Sequence, residues 1–132
     1  MIMKALLIIP TYNEIKNIDR IIRTVLSKAK DLEVLVMDDN SPDGTADAVK
    51  ALMQTEPRLH IIERPGKMGL GSAYVAGFKY ALDKGYEFIL EMDADFSHNP
   101  DDVPRLLEAA QKYDLVIGSR YSNGVNIVNW PF

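Results

Sequence analysis

The sequence predicts an α/β fold in which a mostly parallel sheet carries helices on both faces. Five short apolar runs rich in Ile, Val and Leu lack the polar alternation of a half-exposed strand, as strands buried on both faces do. Four segments with helical spacing lie between these runs, and strict alternation of the two kinds indicates parallel strands. The 132 residues suit one domain, which can bury about two-thirds of its unfolded surface.

The apolar runs set the predicted strands. They occupy residues 5–10, 33–38, 59–64, 86–93 and 114–119. The first run is too short for a signal peptide, and no small-residue cleavage site follows it. No apolar stretch approaches the roughly 20 residues of a membrane-spanning helix.

The first two helices are predicted from apolar spacing and capping residues. In the first helix, Asn13 is placed to cap a segment in which apolar residues recur at every third or fourth position: Ile15, Ile18, Ile22, Val25 and Ala29. Thr45 is expected to cap the second helix, which is predicted to run to about Gln54.

The third and fourth helices are predicted from their ends. The third spans roughly Leu70 to Asp83 and ends at Gly85, a residue typical of helix C-termini. The fourth opens within residues 99–104, where a proline suits the first turn. After Ser119 no further element is predicted; the tail begins a loop that either folds back on the domain or leads into a longer protein.

Composition narrows the function. The net charge of −4 gives a nucleic-acid partner no global electrostatic support, so none is predicted. The absence of cysteine excludes disulfides, thiolate catalysis and cysteine-ligated zinc, and it fits a reducing compartment.

Charged side chains follow the predicted strands. Ligands of open parallel sheets gather outside the carboxyl ends of the strands, so the stretches that follow the strands are the first place to look for a site. Together they contain Glu14, Asp38, Asp39, Asp93, Asp95 and Arg120. This concentration of carboxylates along one rim indicates a functional site more strongly than any single motif.

Asp93 and Asp95 form the most suggestive pair. Residues two apart in an extended chain point the same way, and two converging carboxylates repel unless a proton or a cation lies between them. Mg²⁺ and Mn²⁺ prefer oxygen ligands, so the pair predicts a divalent-cation site. The structural alternative is a solvated turn or a cap for the next helix.

The remaining strand ends suggest recognition of a nucleotide. Residues 41–44 read Ser-Pro-Asp-Gly, as a type I turn prefers, whereas Asp38 and Asp39 are placed to bind ribose hydroxyls or a base N–H. Gly69 and Gly71 follow the third strand, whereas the dinucleotide fingerprint follows the first, so the match to that fingerprint is weak. These glycines are expected to let the backbone approach a ligand or a helix closely, with Lys67 nearby for an anion. Arg120 suits a diphosphate, or alternatively a surface ion pair.

Six ordered blocks of the sequence resemble family 2 glycosyltransferases, and more narrowly the dolichyl- and polyprenyl-phosphate mannosyltransferases. The blocks read IIPTYNE, DDNSPDGTAD, GKMGLGSAYVAGF, MDADFSHNP, GSRY and NWPF. The resemblance covers the whole chain and implies a Rossmann-like GT-A fold. It also implies metal-dependent transfer of mannose from GDP-mannose to polyprenyl (dolichyl) phosphate with inversion, the metal being Mg²⁺ or Mn²⁺.

The resemblance assigns roles to individual positions. Asp95 and Arg120 would be catalytic, Asp95 by ligating the metal and Arg120 by holding the diphosphate. The metal ligands would be Asp93, Asp95 and Ser97, although some members of the family have Gln where this chain has Ser97. The substrate-binding positions are Pro10, Tyr12, Glu14, Met37, Asp39, Asp93, Ala94, Asp95 and Arg120.

Family members continue well beyond the position of the final block. Residues 1–132 are therefore expected to be a nucleotide-sugar-binding domain, truncated before the part that binds the acceptor. The chain is expected to be soluble, and the intact protein to touch the cytoplasmic side of the membrane through the missing part. Two alternatives stay open: a family 2 transferase that uses another nucleotide sugar or acceptor, and an inactive module that binds a nucleotide sugar. A phosphoacceptor receiver domain is disfavoured because its acidic pair would follow the first strand.

Overall fold

A computed structural model describes residues 4–94, 103–110, 115–119 and 124–128. The strands are β1 (Ala5–Thr11), β2 (Leu32–Asp38), β3 (Leu59–Glu63), β4 (Phe88–Glu91), β5 (Leu115–Ser119) and β6 (Gly124–Val128). The helices are α1 (Ile18–Lys28), α2 (Thr45–Met53), α3 (Leu70–Lys84) and α4 (Val103–Ala110).

The strands form one sheet in the order β3-β2-β1-β4-β5-β6. β1 lies between β2 and β4 and is parallel to both, β3 is parallel to β2, and β5 is parallel to β4. The mostly parallel sheet that the sequence predicts is thus confirmed. The chain moves outward from β1 to β3 and then returns beside β1 to form β4, so the strand order reverses between β1 and β4. Ligand crevices form at such reversals.

Strand β6 was not predicted. It pairs antiparallel with β5, from Gly124 opposite Ser119 to Val128 opposite Leu115. Three β-branched residues in its five positions favour a strand, and an Asn-Gly pair precedes them, as is typical of a hairpin. The prediction of a loop after Ser119 is therefore wrong for Gly124–Val128.

The first helix starts later than the sequence predicts. α1 begins at Ile18, whereas Asn13 has a φ of 57° and does not cap it. The backbone N–H groups of residues 13–15 are bound instead by side chains near the start of α2; for example, Glu14 donates to Thr45 Oγ1 at 3.0 Å. These cross-links hold the segment after β1 in a turn and delay the helix.

The second helix is also capped differently from the prediction. Thr45 is its first residue, and Gly44, with a φ of 92°, occupies the capping position. The Asp43 carboxylate accepts the Thr45 N–H at 3.0 Å, so Asp43 supplies the capping oxygen expected from Thr45. The predicted end of α3 is confirmed, because Gly85 adopts the left-handed conformation there with a φ of 76°.

Helices cover both faces of the sheet, as predicted. One face packs against α1, α2 and α4 through a large apolar cluster that includes Ile22, Val49 and Val103. The other face packs against α3, where Gly77 lies so close to β1 that an added Cβ would stand 2.6 Å from Ile8 Cδ1. Within the residues described, no helix combines the length and the apolar character that crossing a bilayer requires.

Candidate functional site

A cavity of about 250 Å³ opens at the carboxyl ends of β1 and β4, where the strand order reverses. Its lining comes from the end of β1, from the segments after β1, β2, β3 and β4, and from the first turn of α3. The lining residues are Pro10, Thr11, Tyr12, Glu14, Asp39, Lys67, Gly69, Leu70, Ala73, Asp93 and Ala94. The parallel topology thus brings strand ends that are distant in sequence to one place, as the sequence reasoning assumed.

Most of the predicted substrate-binding residues that the structure describes line this cavity. They are Pro10, Tyr12, Glu14, Asp39, Asp93 and Ala94. Met37 is placed differently: its side chain is fully buried in the apolar cluster beneath α3 and is not part of the cavity lining. The predictions for Asp95, Ser97 and Arg120 lie outside the described residues.

The two consecutive aspartates after β2 have different environments. Asp38 is 1% exposed, and its carboxylate accepts hydrogen bonds from the hydroxyls of Thr11 at 2.7 Å and Ser41 at 2.6 Å. The Ser41 N–H also donates to it at 3.0 Å. Asp38 therefore joins the ends of β1 and β2 beneath the cavity, which corrects the expectation that it binds ribose or base.

Asp39, in contrast, lines the cavity and is held from behind by Arg64. The guanidinium donates from Nε to Oδ1 at 2.6 Å and from Nη2 to Oδ2 at 2.8 Å. A third donor, Nη1, reaches Ser72 Oγ on α3 at 2.8 Å. The sequence analysis placed Arg64 at the end of the third predicted strand and gave it no role in the site. The feature that could have revealed it is a guanidinium at the carboxyl end of a buried strand, beside the strand that ends in an aspartate pair.

Asp93 is linked to α3. The Tyr74 phenol donates to Asp93 Oδ1 at 3.1 Å. Two residues earlier, Glu91 is the last residue of β4 and is 8% exposed. Burial raises the pKa of Glu91 to about 7, and the charge of Asp93 acts in the same direction. Neither Tyr74 nor Glu91 was singled out from the sequence.

Lys67 and Tyr12 both line the cavity, and their side chains are in contact. The Lys67 ammonium lies 4.8 Å from the centroid of the Tyr12 ring, within the range of a cation–π contact. The cavity thus combines an aromatic face and a cation with the carboxylates of Glu14, Asp39 and Asp93. Such a combination suits a ligand that carries both a planar polar ring and anionic groups.

The described residues fit part of the predicted metal site. Asp93, the one predicted metal ligand within the described ranges, presents a carboxylate in the cavity lining, and such oxygens suit Mg²⁺ and Mn²⁺. Across the described part of the chain, no cluster of three or more His, Asp or Glu residues is arranged to hold a metal. This part therefore supplies a single ligand to the predicted set.

Curated relatives match nearly the whole chain. An undecaprenyl-phosphate mannosyltransferase of Micrococcus luteus is 48% identical over 129 residues, which cover 98% of this chain and 53% of the relative. A polyprenol monophosphomannose synthase of Mycolicibacterium smegmatis is 46% identical, covering 98% of this chain and 49% of the relative. A dolichol-phosphate mannosyltransferase of Pyrococcus furiosus is 41% identical, covering 98% of this chain and 37% of the relative. The chain thus spans about half the length of these relatives or less.

Solved structures share the fold. A mannosyltransferase of Pyrobaculum calidifontis in complex with GDP-Man and Mn²⁺ aligns with a TM-score of 0.55 and 30% identity, covering 59% of this chain and 24% of that one. TarS of S. aureus aligns with a TM-score of 0.61 and 29% identity, covering 70% of this chain and 28% of that one. These likenesses confirm the predicted GT-A type of α/β fold.

The family follows from the sequence match together with this fold. The family model described as glycosyl transferase family 2 matches residues 6–132. That range contains the four helices of the described part of the chain and the described residues that line the cavity. The chain belongs to glycosyl transferase family 2.

Proposed function

We propose that residues 1–132 form the nucleotide-sugar-binding domain of an enzyme that transfers mannose from GDP-mannose to a polyprenyl or dolichyl phosphate with inversion. The names of the relatives support the sugar and the acceptor. The GDP-Man and Mn²⁺ complex of a structural neighbour supports the donor and the metal. Contact with the acceptor lipid, and with the cytoplasmic face of the membrane, belongs in this proposal to a part of the enzyme beyond these residues.

The cavity at the strand reversal is the observation that carries the proposal. Its volume of about 250 Å³ is smaller than a typical pocket for a whole drug-sized ligand, so it suits the nucleoside part of the donor. The Tyr12 ring offers an apolar face to the base or ribose. Asp39 accepts an N–H or a hydroxyl, and Lys67 attracts the phosphates.

The transfer step needs charge compensation on the leaving diphosphate. Asp93, Asp95 and Ser97 would hold Mg²⁺ or Mn²⁺, which supplies that compensation when it is bound. Arg120 would pair with the diphosphate through parallel hydrogen bonds from its guanidinium. An acceptor phosphate is already anionic near neutral pH, so it can attack the anomeric carbon without a general base. A single displacement of this kind inverts the anomeric configuration.

Isothermal titration calorimetry tests the donor and the metal. We expect GDP and GDP-mannose to bind more tightly than UDP-glucose, and Mn²⁺ to tighten the binding of GDP-mannose. Asp95→Ala should abolish the effect of Mn²⁺. Asp31→Ala, which changes an exposed aspartate before β2, should leave it intact. A preference for UDP-glucose would indicate a family 2 protein for another donor, and no binding of any nucleotide would refute the proposal.

A transfer assay tests the acceptor and the stereochemistry. The protein is incubated with GDP-mannose, Mn²⁺ and a short-chain polyprenyl phosphate, and the product is examined by NMR at the anomeric position. A β-linked mannosyl phosphate from the α-linked donor supports inversion, whereas an α-linked product contradicts it. Binding of GDP-mannose without transfer by the intact protein would favour an inactive nucleotide-sugar-binding module.

A further inference from the structure

The side chain of Arg64 forms a two-point ion pair with Asp39 behind the cavity. Both side chains are close to nine-tenths buried, with exposures of 8% for Arg64 and 10% for Asp39. The backbone of Arg64 is fixed as well, because its N–H donates to Asp38 O at 2.7 Å and so extends the pairing of β3 with β2. A charged group held at both ends in this way has little freedom to rotate.

The ion pair leaves Asp39 able to bind a ligand. A carboxylate has about four acceptor positions, two on each oxygen. Arg64 uses one position on each oxygen, and the Met68 N–H approaches Oδ2 at 3.4 Å. Among the described residues only Arg64 Nε donates to Oδ1, so Oδ1 keeps acceptor capacity. Asp39 lines the cavity whereas Arg64 does not, and any effect of Arg64 on a ligand must therefore pass through another residue.

The same guanidinium also reaches the segment that carries Lys67. Nη1 donates to Ser72 Oγ at 2.8 Å, and Nη2 lies 3.4 Å from Gly69 O. Residues 64 to 72 are thus closed into a loop by one side chain, with Lys67 near its middle. Lys67 and Gly69 both line the cavity. One buried arginine therefore contacts both Asp39 and the segment that carries Lys67.

We propose that Arg64 is a positioning residue for nucleoside recognition. It fixes the Asp39 carboxylate so that Oδ1 accepts a hydrogen bond from the nucleoside. This inference rests on the proposed function. A planar fork with five donors is needed for this set of contacts, which the single ammonium of lysine cannot reproduce.

A double-variant cycle tests the proposal. The affinity for GDP is measured by calorimetry for the wild-type chain, Arg64→Lys, Asp39→Asn and the double variant. We expect Arg64→Lys to lower the affinity for GDP about tenfold. The affinity of the double variant should lie within about twofold of that of Asp39→Asn, because the effect of Arg64 runs through Asp39. Independent losses that multiply in the double variant would overturn the proposal, as would wild-type affinity in Arg64→Lys.

Arg58 provides the matched control. Its guanidinium donates to backbone carbonyls, including Leu26 O and Ala29 O at 2.9 Å each, at the end of the sheet away from the cavity. Arg58→Lys should lower the urea midpoint of unfolding and leave the affinity for GDP within about twofold. If Arg58→Lys weakens GDP as much as Arg64→Lys does, the role of Arg64 is structural only. If the wild-type chain binds no nucleotide, the proposed function fails first and this inference with it.

Discussion

Tyr74 on α3 donates a hydrogen bond of 3.1 Å to Asp93 Oδ1, just beyond the carboxyl end of β4. Arg64 makes a comparable link from just after β3 to Ser72, two residues earlier on the same helix. The two carboxylates that line opposite parts of the cavity, Asp39 and Asp93, are therefore both tied to α3. Helix α3 thus contacts Asp93 directly through Tyr74 and Asp39 indirectly through Arg64.

Removing the Tyr74 hydroxyl should weaken metal-dependent binding. Tyr74→Phe keeps the ring but loses one hydrogen bond to a charged group, which is worth about 1.5–3 kcal/mol when buried and less where water can replace it. We expect the affinity for GDP in the presence of Mn²⁺ to fall about threefold to tenfold, as measured by calorimetry. Tyr80→Phe, near the other end of α3, should have no such effect. Equal affinities for the wild type and Tyr74→Phe would show that this contact does not position Asp93.

Replacing Glu91 should change how stability depends on pH. Burial raises the pKa of Glu91 from 4.5 to about 7 in the folded state, so the folded chain holds this proton more tightly than the unfolded chain. Its stabilising contribution is complete below pH 4.5 and is lost as the pH rises through 7. Glu91→Gln removes that loss. The free energy of unfolding of the variant should therefore rise relative to that of the wild type between pH 5 and 8, by at most about 3 kcal/mol.

Urea unfolding at four pH values from 5 to 8 measures this gain. Glu87→Gln changes an exposed glutamate just before β4. Its free energy of unfolding should differ from that of the wild type by the same amount at each of these pH values. A constant difference between Glu91→Gln and the wild type would mean that Glu91 titrates normally in the folded chain.

The Asp43 carboxylate should stabilise both the start of α2 and the turn after β1. It accepts the N–H groups of Thr45 at 3.0 Å and Ile15 at 3.1 Å. Asp43→Ala should lower the free energy of unfolding by about 1–2 kcal/mol, as the loss of a helix cap typically does. Thermal and urea unfolding measure the change, with Asp31→Ala as the exposed control. A loss no larger than that of the control would contradict the capping role.

Gly77 should tolerate no larger side chain. A Cβ there would stand 2.6 Å from Ile8 Cδ1 and 3.0 Å from Ile8 Cγ2, so α3 would have to move away from β1. Gly77→Ala should destabilise the chain by about 1–3 kcal/mol through overpacking. Gly71→Ala on the same helix, where no atom lies within 4 Å of the added Cβ, should be neutral or stabilise by up to about 1 kcal/mol. Similar urea midpoints for the two variants would be inconsistent with this packing.

The sequence predicted the sheet well because its interior strands are apolar on both faces. Residues Ala5 to Ile9 of β1 are all fully buried, which a continuous apolar run anticipates. The start of α1 was missed because tertiary contacts decided it. Ile15 fits the helical spacing, yet its N–H binds Asp43, and its side chain is 39% exposed. Such long-range competition for backbone donors leaves no local signature.

The candidate site could be located from the sequence, but the roles within it could not be fully divided. Strand ends of a parallel sheet meet by topology, so Asp39 and Asp93 were expected to lie together, and both line the cavity. Asp38 and Asp39 are chemically identical neighbours, and only the partners Thr11, Ser41 and Arg64 distinguish them. These partners come from three different strand ends, and their side-chain orientations depend on the assembled sheet.

The cavity has a further consequence for the synthesis of the protein. Among the described residues, those that line it fall between Pro10 and Ala94, and β1 has both of its neighbouring strands by Glu91. Because chains leave the ribosome from the amino end, the described lining of the cavity is synthesised before β5 and β6. A nucleotide that binds the cavity once the domain has folded would stabilise the folded chain against unfolding by mass action.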